Sequence, residues 1–204
     1  MSRSLCLPGL VRRSALIVLL ALMVSGCGVN TIPTQEEAAK AKWSEVLNQY
    51  QRRTDLIPNL VETVKGYAAQ ERQVLEAVIN ARARATQTTL QVPPDILTNP
   101  DAFKKFQEAQ AQLTGALGRL IAVSENYPDL KSNQNYLALQ SQLEGTENRI
   151  AVARRDYIQA VQAYNTELRT FPGVIWATIL YRSSKPMQTF TIPDEMTKPP
   201  PVKF

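Results

Sequence analysis

The chain has no histidine, only two cysteines and only eight glycines in 204 residues, and each shortage removes a class of chemistry. Histidine is the usual general base near neutral pH and the commonest metal ligand. Without it no Ser-His-Asp or Cys-His nucleophile can be assembled. A His-containing zinc site and the Glu-x-x-His pairs of di-iron helical bundles are excluded on the same ground. The glycines form no phosphate-cradling loop, so no nucleotide or other cofactor is indicated. Carboxylate-only chemistry passes this filter, because glycoside hydrolysis asks for two suitably spaced Asp or Glu side chains. Acidic residues are absent before Glu36.

That acid-free start has the parts of an export signal. Arg3, Arg12 and Arg13 precede an uninterrupted apolar run from Ala15 to Val24. The run is about half the roughly 20 residues a helix needs to cross hydrocarbon, so it predicts cleavage rather than a membrane span. It ends in Val24-Ser25-Gly26-Cys27, which resembles the cleavage box of bacterial lipoproteins. Small Ser25 and Gly26 let an extended backbone enter a peptidase site, and the Cys27 thiol is the nucleophile that takes a diacylglyceryl group. Two or three acyl chains hold a protein firmly at a membrane where one is marginal. Gly28, standing where inner-membrane lipoproteins carry Asp, leads to the outer membrane as the expected destination in a cell with two membranes. Cys6 is discarded and Cys27 is consumed by lipid, so no disulfide is expected. Cleavage removes three arginines and no acid, lowering the net charge from +5 to +2. Basic and acidic residues then interleave along the whole chain, which argues against nucleic acid as a partner.

Beyond the signal the chain reads as helix. Thr34-Gln35-Glu36-Glu37 matches a capping box. Trp43, Tyr50, Ile57, Val64, Val78 and Ala85 then share a seven-residue track. Pro58 interrupts neither this track nor its neighbour, so the spacing predicts one kinked helix, about 80 Å long, running to the breakers between Gln87 and Asn99. A second helix is expected from Asp101 to just before Tyr127-Pro128, whose residues suit a tight turn. A third, roughly 60 Å long, carries Tyr136, Leu143, Ile150, Tyr157, Tyr164 and Phe171 at intervals of seven. The expected fold is all-α: an elongated antiparallel bundle of three long helices, closed by a short buried C-terminal helix from Val174 to Tyr181. The corresponding segments are signal peptide 1–26, tether 27–33, bundle 34–182 and an extended, Pro-rich tail 183–204. The tether spans at most about 20 Å, which keeps the bundle close to the bilayer.

The run from Tyr50-Gln51-Arg52-Arg53-Thr54-Asp55-Leu56-Ile57-Pro58-Asn59-Leu60-Val61-Glu62 to Tyr67 resembles the signature of the LemA family. Glu125-Asn126-Tyr127-Pro128-Asp129-Leu130 and Glu147-Asn148-Arg149-Ile150-Ala151-Val152-Ala153-Arg154-Arg155 extend the likeness over about residues 34 to 172. The resemblance implies a helical bundle at the bacterial envelope and supplies no catalytic residue. Within the signature, Asp55, Asn59 and Glu62 recur at i, i+4 and i+7 and so share one side of a helix, with Arg53 a turn earlier. Arg149 and Arg154 are charge partners offered by the third helix. The polar set reads foremost as an interhelical network that fixes register. A partner groove or an acid–base carboxylate pair is the sharper alternative. Arg82, Arg84, Lys104 and Lys105 read as solvated faces rather than lipid contacts.

These residues lead to a membrane-anchored envelope lipoprotein, held by lipid on Cys27 and facing the periplasm or cell exterior. It is expected to be non-enzymatic: a scaffold, adaptor or assembly factor for another envelope protein. The rivals are a carboxylate-dependent peptidoglycan hydrolase and a structural protein that assembles with copies of itself.

Overall fold

The computed structural model describes residues 28–190. Cys27 and the signal segment before it lie outside the described residues, as do residues 191–204. Of the described residues 76% are helical and none is in a strand. Among the described residues there are six helices: α1 Thr31–Lys65, α2 Arg72–Leu90, α3 Pro100–Ser124, α4 Pro128–Lys131, α5 Gln134–Glu167 and α6 Gly173–Ile179.

The single long first helix expected from the heptad track is two helices. The chain passes through Pro58 without a break, then leaves the helix at Gly66. The turn closes with Tyr67 N donating to Val64 O at 3.0 Å and Glu71 N donating to Ala68 O at 3.0 Å. Glycine holds a helix poorly, and Glu71 stands where the apolar track needed a hydrophobe. The track keeps phase on both sides because Val64 and Val78 are buried in the same core from opposite arms of a hairpin. At 1.5 Å per residue, the 35 residues of α1 and 34 of α5 make rods about 50 Å long. The bundle therefore has four long helices, α1, α2, α3 and α5, in up-down-up-down order.

Other boundaries follow local chemistry. Helix α1 starts at Thr31, three residues before the expected cap. Thr34 lies inside it and donates to Asn30 O at 2.7 Å, while Glu37 pairs with Lys40 instead of capping. The tether is thus shorter than expected, and its last residues form a turn in which Thr31 N donates to Gly28 O at 3.1 Å. Asn99 caps α3 by accepting from Asp101 N and Ala102 N at 3.1 and 3.2 Å, with Pro100 at the first helical position. Asn133 caps α5 through Tyr136 N.

The interior divides along the rod. One cluster, near the start of α1, gathers Trp43, Tyr50, Phe103, Phe106, Tyr157 and Phe190. The other, toward the α1–α2 turn, is aliphatic and small apart from Tyr136: Ile57, Val64, Val78, Ala81, Leu113, Ala116 and Leu120 are among its members. Residues 181–190 are non-helical, yet Met187 and Phe190 belong to the first cluster. Asn165 clasps Met187 through two hydrogen bonds of 2.9 Å, and Gln188 N donates to Leu97 O at 2.6 Å. The start of the expected tail is therefore a core element. Helix α6 departs from expectation the other way: Val174, Ile175, Ile179 and Leu180 are exposed rather than buried. Phe171, the last member of the α5 track, lies beyond the end of that helix and is 80% exposed.

Candidate functional site

Two polar residues of the signature, Arg53 and Thr54, are buried at the boundary between the two clusters. Pro58 has no N–H, so the carbonyl four residues earlier, that of Thr54, lacks its helical donor. Arg82 on α2 supplies one, its Nε donating to Thr54 O at 3.0 Å. The Thr54 hydroxyl donates to Tyr50 O and Gln51 O, both at 2.8 Å. A residue that reads as solvated in the sequence thus repairs the backbone defect made by the proline and ties α2 to α1.

Arg53, one residue earlier, turns inward and is 1% exposed. Its Nη2 donates to Gln110 Oε1 at 2.6 Å, and its Nη1 donates to Thr114 Oγ1 at 2.9 Å and Glu147 Oε1 at 3.0 Å. Gln110 in turn donates to Thr89 Oγ1 at 3.2 Å. One guanidinium therefore joins α1 to α3 and α5, and through Gln110 to α2. The cation also lies over the Tyr50 ring, 5.0 Å from its centre, while its Nε is buried with no partner. Burial raises the Tyr50 phenol above its ordinary value, an effect the nearby Arg154 and Arg53 cations oppose.

Apart from Arg154, which lies near Tyr50, the remaining expected site residues stand apart from this belt. Asp55 is exposed and accepts from Gln51 Nε2 at 2.8 Å. Asn59 is exposed, and Glu62, also exposed, lies 3.7 Å from Lys65. Arg149 faces outward. Arg154 is half-buried and stacks on Phe190, 4.4 Å from the ring centre. Cys27 lies outside the described residues. Of the polar set, then, only Arg53 enters the interior network. Its partners Gln110, Thr114 and Glu147 carry no periodic signal that sequence reading detects. The one available cue is that Gln110 sits three residues before Leu113 and four after Phe106, on the buried side of α3.

A second polar group ties the far end. The Tyr127 hydroxyl donates to Glu71 Oε1 at 2.8 Å and accepts from Gln70 at 2.9 Å, while Asn133 donates to Tyr67 OH at 2.9 Å. The α1–α2 turn is thereby fastened to the α3–α5 connection. The hydrogen bond to Glu71 is the main cause of a raised Tyr127 phenol. At the opposite end an open groove of about 370 Å³ runs between α2, the 91–99 loop and α3, lined by Gln87, Gln91, Ile96, Asp101 and Lys105. Among the described residues no group of three or more His, Cys, Asp or Glu is placed to hold a metal ion, and no helix is long and apolar enough to cross a membrane.

Comparison with known proteins agrees with the signature. The model of the LemA family matches residues 42–204. Magnetosome protein MamQ 2 of Paramagnetospirillum magneticum is 30% identical over 157 residues, covering 70% of this chain and 58% of that protein. Magnetosome protein MamQ of Magnetospirillum gryphiswaldense is 27% identical over the same shares. Protein LemA of Metamycoplasma hominis is 25% identical over 121 residues, 59% of this chain and 50% of that protein. The chain thus spans between half and three fifths of the length of these relatives.

Proposed function

The chain belongs to the LemA family, and from that premise we propose that it is a non-enzymatic envelope lipoprotein, anchored through lipid on Cys27, whose rod serves as a scaffold, adaptor or assembly factor. The observation that carries this reading is the closeness of anchor and rod. The lipobox cysteine directly precedes Gly28, and α1 begins at Thr31. Three residues reach only about 10 Å even when extended, so an acylated Cys27 sets the near end of the bundle against the bilayer.

The use made of the polar residues supports a structural role. Arg53 in the signature and Arg82 on α2 are engaged in holding helices together. Asp55 and Glu62 are both exposed on α1, with Gln51 and Lys65 as their partners. The relatives named as magnetosome proteins favour a part in a larger assembly.

The test is mild cross-linking in cells, then detergent extraction and mass spectrometry of what accompanies a tagged chain and its Cys27→Ala variant. A defined envelope protein captured by the parent and lost from the variant is the expected result. Recovery of the chain with itself alone would favour self-assembly. Release of soluble fragments from peptidoglycan by the purified protein would overturn the non-enzymatic reading.

A further inference from the structure

Helix α6 was expected to be buried and is not. Among the described residues, five of the ten exposed large hydrophobic side chains, Phe171, Val174, Ile175, Ile179 and Leu180, fall within ten consecutive residues. Their spacing of three and four places most of them along one side of the segment, away from Trp176 and Ala177, which pack on the aromatic cluster. Gly173, the buried first residue of this helix, is held so close to Glu167 O that a Cβ there would clash, which fixes how α6 leaves α5.

The position of α6 identifies its occupant. A Cβ built on Gly28 would lie 3.6 Å from Pro172 Cγ and 3.9 Å from Trp176 Nε1, so the residue after Cys27 rests on the start of α6. The φ of Gly28, +113°, is one that side-chain-bearing residues rarely adopt, which favours glycine where the chain arrives at this contact. Arg169, Arg182 and Lys185 flank this segment and are exposed; from Leu168 to Phe190 there is no Asp or Glu, and the neighbouring Glu167 is half-buried with its carboxyl against Gly173. An apolar face flanked by cations is the pattern of a helix lying in the headgroup boundary of an anionic bilayer.

We infer that Phe171–Leu180 is a second membrane contact, an apolar foot that enters the outer part of the bilayer beside the acyl chains of Cys27. This deepens the lipid-anchor reading and rests on it for the side of the molecule that meets the membrane. A second contact restrains the tilt of the rod, which a single flexible acyl tether would leave free. It also explains why α6 keeps its hydrophobes outward while the neighbouring residues 187–190 turn inward.

The test uses the full chain, purified from cell membranes and reconstituted into vesicles of phosphatidylethanolamine and phosphatidylglycerol. Spin labels are placed at Ile179→Cys and, as a control on an exposed site in α2, at Ile79→Cys. The Ile179 label is expected to be severalfold less accessible to a water-soluble nickel complex than the Ile79 label and more accessible to oxygen. Equal nickel accessibility at the two sites on vesicle-bound protein would overturn the foot. So would dipolar broadening at Ile179 with shielding from both quenchers, which would assign the face to a second copy of the chain. The unsubstituted chain should take up no label. Labelling at Cys27 would overturn lipidation instead, and the Ile179 readout would still decide the foot.

Discussion

The two halves of the bundle solve the same packing problem differently. Toward the α1–α2 turn, four helices meet through Val, Leu and Ala side chains. Small residues let helices approach closely, and the alternation of Leu113 with Ala116 and Leu117 with Ala81 and Ala85 fills the space between them. Toward the start of α1, helix α2 has ended at Leu90 and one wall of the bundle is missing. There the 91–99 loop and residues 185–190 take its place, and large rings fill the wider interior. Trp43 lies 5.1 Å from Phe106, 5.3 Å from Tyr157 and 6.0 Å from Phe190, centre to centre. Irregular backbone can complete a helical core when aromatic area and specific hydrogen bonds replace the regular fit of one helix on another.

The contrast predicts different responses of the halves, and alkali is expected to separate them most. Burial is the first cause of raised phenols at Tyr50, Tyr157 and Tyr164, all in the aromatic half. Their folded values lie above the unfolded value of about 10, so the stability they contribute is fully present below that pH and is lost as pH rises toward the folded values. Near-ultraviolet dichroism should collapse in this window before helical dichroism falls. Coincident loss of both signals would mean that the halves unfold as one.

Arg53 joins the halves, and Arg53→Ala leaves Gln110 buried without its donor and Glu147 without its cation. A loss of about 3 to 5 kcal/mol in urea unfolding is expected, and pairing Arg53→Met with Gln110→Leu should recover part of it. Phe190→Ala tests whether the non-helical segment belongs to the core: about 3 kcal/mol is expected, against less than about 0.5 for a surface appendage. Arg82→Ala should cost about 1 kcal/mol, and the cost should shrink in a Pro58→Ala background, where residue 58 regains the N–H that Thr54 O lacks. The smallest change belongs to Asp55→Asn and Glu62→Gln, within about 0.5 kcal/mol of the parent. An effect of either on cellular function without loss of stability would restore that face as a partner surface.

Much of the architecture is legible in the residues. The breakers read between Gln87 and Asn99 and the Tyr127-Pro128 turn mark where α2 and α3 end to within a few residues, α2 continuing to Leu90, and the stripe from Tyr136 to Tyr164 gives α5 and its buried side. The hairpin at Gly66 was hidden because two antiparallel helices that bury the same core preserve one seven-residue phase through their turn. Of the polar signature, the i, i+4, i+7 spacing correctly puts Asp55, Asn59 and Glu62 on one side, and that side faces solvent. Spacing reports which residues share a face; it carries no information on which face meets a neighbour.

By itself the sequence determined helical periodicity and the breaks made by proline and loop residues, because these depend on near neighbours along the chain. Tertiary structure alone decided that Arg53 faces inward, that Arg82 serves the carbonyl Pro58 leaves unpaired, that residues 187–190 complete the core and that α6 stays exposed. Each depends on contacts between residues tens of positions apart, and only the fold determines which groups are brought within hydrogen-bonding reach.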